Sequence, residues 1–151
     1  MSNVIPFLSG LKPPLLPEEE VTISRLSAIL EAAFIDHEID ESGDLFVTEG
    51  LERPLWVTID APGKFLHLFT YSEIDEEPEA DWLSRINRMN ETLIVTRFYR
   101  MDDAIWGDYS MSFEEGLNVR QFVKMLRRFS AGFVAGLRLH KESPPESLSA
   151  S

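Results

Sequence analysis

Leu55-Trp-Val-Thr-Ile-Asp60-Ala-Pro-Gly-Lys-Phe65-Leu-His-Leu-Phe-Thr-Tyr71 is the stretch that decides the architecture. From Leu55 to Ile59, Trp56 and Thr58 take one parity and Leu55, Val57 and Ile59 the other. Ala61-Pro62-Gly63 is turn chemistry, and in the return run Phe65, His67 and Phe69 alternate with Leu66, Leu68 and Thr70. A period of two on both sides of a turn predicts an antiparallel hairpin.

Working outward, Leu45, Phe46 and Val47 make another short strand. Ile35, His37 and Ile39 alternate with acids before the turn Asp40-Glu41-Ser42-Gly43-Asp44. Upstream, Ile23, Leu26, Ile29, Leu30 and Ala33 follow the i, i+3, i+4, i+7 spacing of one helical stripe, so a helix is expected from about Thr22 to Phe34. Thr22 can cap it. Downstream, residues 73–81 hold six acids and no base, a solvated connection into a second helix from about Glu79 to Leu93. Its stripe is Trp82, Leu83, Ile86, Met89 and Leu93, and Pro78 suits its start. Strands follow at Ile94–Met101 and Trp106–Phe113 around Asp102-Asp103. Asn118 then caps a long third helix reaching about Leu139.

The expected order is α-β-β-β-α-β-β-α: an α+β domain with an antiparallel sheet of five to six strands, the sixth near residues 35–40, and three helices. The 151 residues fit one core. Residues 1–20, with prolines at 6, 13, 14 and 17, read as a tail whose first 17 residues are dispensable for folding. Residues 21–141 read as the domain, and 142–151, rich in Ser and Pro, as a second tail. Leu11, Leu15 and Leu16 are apolar enough to lie on the domain or on a partner.

Charge is unevenly placed. Residues 1–81 carry 18 acids and 4 bases, whereas 118–141 carry no acid and six bases, within a net charge of −12. That balance argues against a nucleic-acid partner. No apolar run approaches the ~18 residues that span a bilayer, and the N-terminus lacks a basic region before its short apolar run. We therefore expect no membrane insertion and a cytoplasmic protein.

Candidate chemistry is sparse. There is no cysteine, and the histidines at 37, 67 and 140 show no helical metal spacing. Glu38 to Glu49 superficially copies a calcium loop, but a strand follows where an exit helix would be needed, so a hairpin turn is the better reading. Asp102, Asp103 and Asp108 have no positioned histidine, lysine or metal beside them in the sequence. No catalytic, cofactor-binding or metal-binding residue is assigned, and no cofactor is expected. Asn87 and Asn90, near the end of the second helix, should be structural.

The third helix is the most informative element. Val119, Phe122, Val123, Leu126, Phe129, Phe133, Val134 and Leu137 share one broad face. Arg120, Lys124, Arg127, Arg128 and Arg138 form a separate basic stripe. That stripe either pairs with acids of the same fold or faces a partner. Gly132 and Gly136 invite close approach of another backbone, either the chain's own sheet or a second subunit. On the second alternative, Gly132, Gly136, Phe129, Phe133 and Met125 would form a homodimer interface to which the second helix also contributes.

Ile86-Asn87-Arg88-Met89-Asn90, Arg97-Phe98-Tyr99, Met101-Asp102-Asp103, Glu115-Gly116-Leu117-Asn118 and the closing helix with Phe129 and Phe133 together resemble the YbjN family of bacterial proteins. At the start of the third helix one glycine and the hydroxyl cap of the family pattern are replaced. The likeness covers about residues 22–140. It implies a fold similar to type III secretion chaperones, a curved antiparallel sheet with three helices, often dimeric, and a sensory transduction regulator without catalytic residues to carry over. The expected function is a non-enzymatic protein-binding module, chaperone-like or regulatory. The alternative is a small-molecule sensor with a pocket lined by Trp82, Trp106, Tyr99 and Phe residues.

Overall fold

The hairpin sits at the centre of a six-stranded sheet. In the computed structural model, which describes residues 15–48, 50–74 and 79–142, the strands are β2 (His37–Ile39), β3 (Leu45–Val47), β4 (Leu55–Asp60), β5 (Phe65–Glu73), β6 (Arg97–Met101) and β7 (Ala104–Ser112). Their order is β2-β3-β4-β5-β7-β6, antiparallel throughout. Two further short strands, β1 (Leu15–Leu16) and β8 (Leu117–Asn118), pair separately. The helices are α1 (Ile23–Ala32), α2 (Glu79–Thr92) and α3 (Val119–Glu142). The expected α+β architecture is thus present, including the strand near residues 35–40.

Local chemistry sets the boundaries. Thr22 Oγ1 accepts the Arg25 N–H at 3.2 Å and Asn118 Oδ1 accepts the Gln121 N–H at 3.0 Å, so both expected caps form. At the end of α1 the Ile35 N–H reaches Leu30 O and the Phe34 N–H reaches Glu31 O, a Schellman closure with Phe34 at φ 60° where glycine is usual. Asp40 Oδ1 accepts the N–H groups of Ser42 and Asp44, so the calcium-like segment is a hairpin turn between β2 and β3. Glu49, its last supposed ligand, lies outside the described residues, as does Pro78. The strand expected from Ile94 starts only at Arg97, and Ile94 itself is 97% exposed.

All three helices cover one face of the sheet. Leu26 and Leu30 of α1 and Phe122, Leu126 and Phe129 of α3 bury against Leu45, Val47, Leu55, Val57, Leu66 and Leu68. Trp82, Ile86 and Met89 of α2 join Phe133 of α3 over Phe98 and Ile105. The hydroxyl of buried Ser130 accepts the Arg53 N–H and donates to Arg53 O, stitching α3 to the loop before β4.

Two expectations are corrected here. The N-terminal boundary moves: Leu16 is buried, β1 pairs with β8, and Glu18 binds Lys64 and accepts the Glu115 N–H, so residues 15–20 belong to the fold rather than to a tail. Residues 1–14, with Leu11, and residues 143–151 lie outside the described residues. The second correction concerns α3. A Cβ on Gly136 would collide with the Phe98 ring, and one on Gly132 would stand 2.8 Å from Thr96 Oγ1. The close approach that these glycines allow is therefore to the chain's own β6 region. Phe129 and Phe133 are fully buried and Met125 nearly so, which leaves these α3 residues without surface for a second subunit.

Candidate interaction surfaces

The opposite face of the sheet carries no helix among the described residues. The register places Phe46 beside Trp56, Trp56 beside Phe69, Tyr71 beside Trp106, and Trp106 beside Tyr99. Ring centroids are 4.6 Å apart for Phe46–Trp56, 5.6 Å for Trp56–Phe69, 4.8 Å for Tyr71–Trp106 and 6.5 Å for Tyr99–Trp106, with planes within 36° of parallel. The result is one aromatic row across five strands. Cross-strand aromatic pairs of this kind stabilise a sheet laterally. The closer rings partly cover one another's faces.

A polar group borders the row. Asp108, 4% exposed, accepts two hydrogen bonds from Arg97, at 2.9 Å from Nε and 2.6 Å from Nη2. His67 lies 3.8 Å from the same carboxylate and shares a 2.9 Å hydrogen bond with Ser110. Hydrogen bonding to Asp108 holds the Arg97 guanidinium charged, and burial, then the Asp108 carboxylate, pushes the Tyr99 phenol up. Asp108 is thus a charge partner for Arg97, while Asp102 and Asp103 stay exposed in the β6–β7 turn. His37 bonds Ser27 Oγ at 2.6 Å and Ile35 O at 3.0 Å. Among the described residues no cluster of three metal-ligating side chains forms.

The pocket named for a sensor does not assemble. Trp82 is buried under the helices with Ile105, whereas Trp106, the next residue along β7, points to the opposite face with Tyr99. The sheet stands between them. Of the two asparagines, Asn90 donates to Phe98 O at 2.9 Å and accepts the Phe98 N–H at 2.7 Å. Its amide occupies backbone groups on the outer edge of β6, which would otherwise invite another strand. Asn87 is exposed and shows no such bond among the described residues.

The basic stripe is a surface feature. Arg120, Lys124, Arg127, Arg128 and Arg138 are exposed, and none makes an ion pair among the described residues. Arg120, Lys124 and Arg127 rim a groove between α1 and α3. No helix of the described residues is long and apolar enough to cross a membrane.

The family model for YbjN, "Putative bacterial sensory transduction regulator", matches residues 22–133. The chain belongs to the YbjN family. Among solved structures it is similar to YbjN from E. coli, described as a putative transcription regulator, with a TM-score of 0.64 and 13% identity over 76% of this chain and 86% of that one. It is also similar to the Yersinia pestis type III secretion chaperone SycH, solved in complex with a stable fragment of YscM2, with a TM-score of 0.53 and 18% identity over 78% of this chain and 98% of that one. At these identities the likeness is one of fold, and it bears out the chaperone-like architecture implied by the sequence resemblance. No curated protein matches the chain.

The signal for the aromatic row was present as strand parity, since Trp56 and the Phe69 series alternate with aliphatic residues. Parity alone does not say which of two apolar faces the helices will cover. The Arg97–Asp108 pair follows from the register of the β6–β7 hairpin, where a turn at Asp102-Asp103 sets Arg97 opposite Asp108.

Proposed function

We propose that this YbjN-family protein is a non-enzymatic protein-binding module, chaperone-like or regulatory, that holds its partner on the uncovered face of the sheet. The observation that carries this reading is the aromatic row from Phe46 to Tyr99, placed where no helix of the described residues covers it. Aromatic side chains present large, stiff contact area and are enriched where proteins bind proteins. Bases and sugars bind best to free ring faces, and here neighbouring rings partly occupy those faces. The fold neighbour SycH was itself solved with a protein fragment, which favours the same class of partner.

A cytoplasmic location and a homodimer belong to the same proposal. Phe129, Phe133 and Met125 are buried within the chain and lie outside such a contact, and a stable two-fold interface should bury ~1,000 Å² or more in total.

The experiment is cross-linking followed by capture from bacterial extract, comparing the unaltered protein with Trp106→Ser/Tyr71→Ser. Loss of the captured proteins, with far-UV circular dichroism unchanged, supports the sheet face. An identical captured set from both proteins argues against it.

A further inference from the structure

A second surface lies on the other side of the molecule, between α1 and α3. The groove has a volume of about 410 Å³. Ile29, Ala32, Ala33, Val119 and Val123 form its apolar lining, and Arg120, Lys124 and Arg127 its charged rim. A second hollow shares Ile29, Ala32 and Val119 and continues it towards Leu15 and Arg25. Phe34, directly after Ala33, is 93% exposed, so apolar surface extends past the end of α1.

The rim is electrostatically unanswered. Its three cations make no ion pair among the described residues, in a chain whose net charge is −12. Acids are plentiful elsewhere, yet residues 118–141 contain none. Such a local reversal of sign marks where an anionic partner would be drawn in.

We propose that this groove binds an acidic amphipathic segment of another protein, with its apolar side chains on Ile29, Ala33 and Val123 and its carboxylates against Arg120, Lys124 and Arg127. Complementarity to an apolar floor and a cationic rim at once selects this occupant. A sugar-phosphate backbone answers the rim but not the floor. A second copy placed over the groove by a two-fold axis would set cations against cations. Residues 1–14 hold Lys12 as their one charged side chain, so they offer no carboxylate to the rim. This inference stands apart from the sheet-face reading, and either can fail alone.

The test uses the full chain and fluorescein-labelled amphipathic peptides of about 15 residues, long enough to form a helix. One peptide sets Glu opposite Leu, and the other replaces each Glu by Lys. Fluorescence anisotropy should show saturable binding of the acidic peptide, weakening as salt screens the rim, and none of the basic one. Lys124→Glu/Arg127→Glu should lower acidic-peptide affinity about tenfold, the scale of a few exposed ion pairs, and admit the basic peptide. The proposal is overturned if neither peptide binds, if both bind alike, or if charge reversal changes nothing. Tighter binding of duplex DNA or phosphatidylglycerol vesicles through the same residues overturns it too. So does acidic-peptide binding that appears only after deletion of residues 1–14, which would make that segment the occupant.

Discussion

The two faces of the central sheet are built from different apolar residues and meet different fates. The helix-covered face is mainly aliphatic, with Phe98 and Tyr109 towards β6 and β7: Leu45, Val47, Leu55, Val57, Leu66, Leu68 and Ile105 are all fully buried. The other face carries Phe46, Trp56, Phe69, Tyr71, Trp106 and Tyr99, which pack sideways on each other across the strands. Compact aliphatic side chains leave a surface into which helix side chains interdigitate, and burial there needs a second layer. Large rings recover part of their burial from neighbours in the same layer, so a sheet can leave them without a cover. The covered face therefore holds the fold, and among the described residues the other face carries no second layer.

The sharpest way to break that contrast is to cut one side chain on each face. Phe129→Ala, on the helix side, should cost about 3–5 kcal/mol through lost burial and a residual cavity. Urea titration would measure it, and a cost below that of an open-face substitution would reverse the assignment of roles. Gly136→Ala tests the same face by overfilling. The added methyl meets the Phe98 ring, and a loss of about 1–3 kcal/mol is expected. A stable variant with a changed oligomeric state would instead return Gly136 to a subunit contact.

Asn90→Ala probes the edge of the covered side. It removes both hydrogen bonds to Phe98, so thermal unfolding should register a loss of ~1 kcal/mol. Light scattering should also show a greater tendency of the bared β6 edge to associate. Trp106→Ala, on the open face, should cost ~1 kcal/mol or less in stability, since only lateral ring contacts are lost. Its larger effect should be on partner capture.

The smallest effect is expected at the N-terminal attachment. The Lys64 hydrogen bond, and then the Glu115 N–H, hold the Glu18 carboxyl below the usual carboxylate range. A depressed folded-state pKa means the contribution is present above the unfolded-state value and is lost as pH falls through the folded one. Melting temperatures measured from neutral to acid pH should fall slightly less steeply for Glu18→Gln. Identical slopes would show that Lys64 and Glu115 hold the segment without the charge.

The sequence by itself determined what rests on near neighbours. Strand parity in Leu55–Tyr71, the α1 stripe, the caps Thr22 and Asn118 and the turn at Asp40–Asp44 are set by contacts within a few residues, so their spacing is visible in one dimension. The basic stripe was legible for the same reason. Tertiary structure alone decided which apolar face received the helices, because both faces alternate correctly. It also decided that Gly132 and Gly136 serve the chain's own β6 region, that Trp82 and Trp106 stand on opposite sides of the sheet, and that Leu16 joins the core through a strand pairing across about a hundred residues. Those outcomes depend on how distant segments share the available buried area, and periodicity carries no information about that competition.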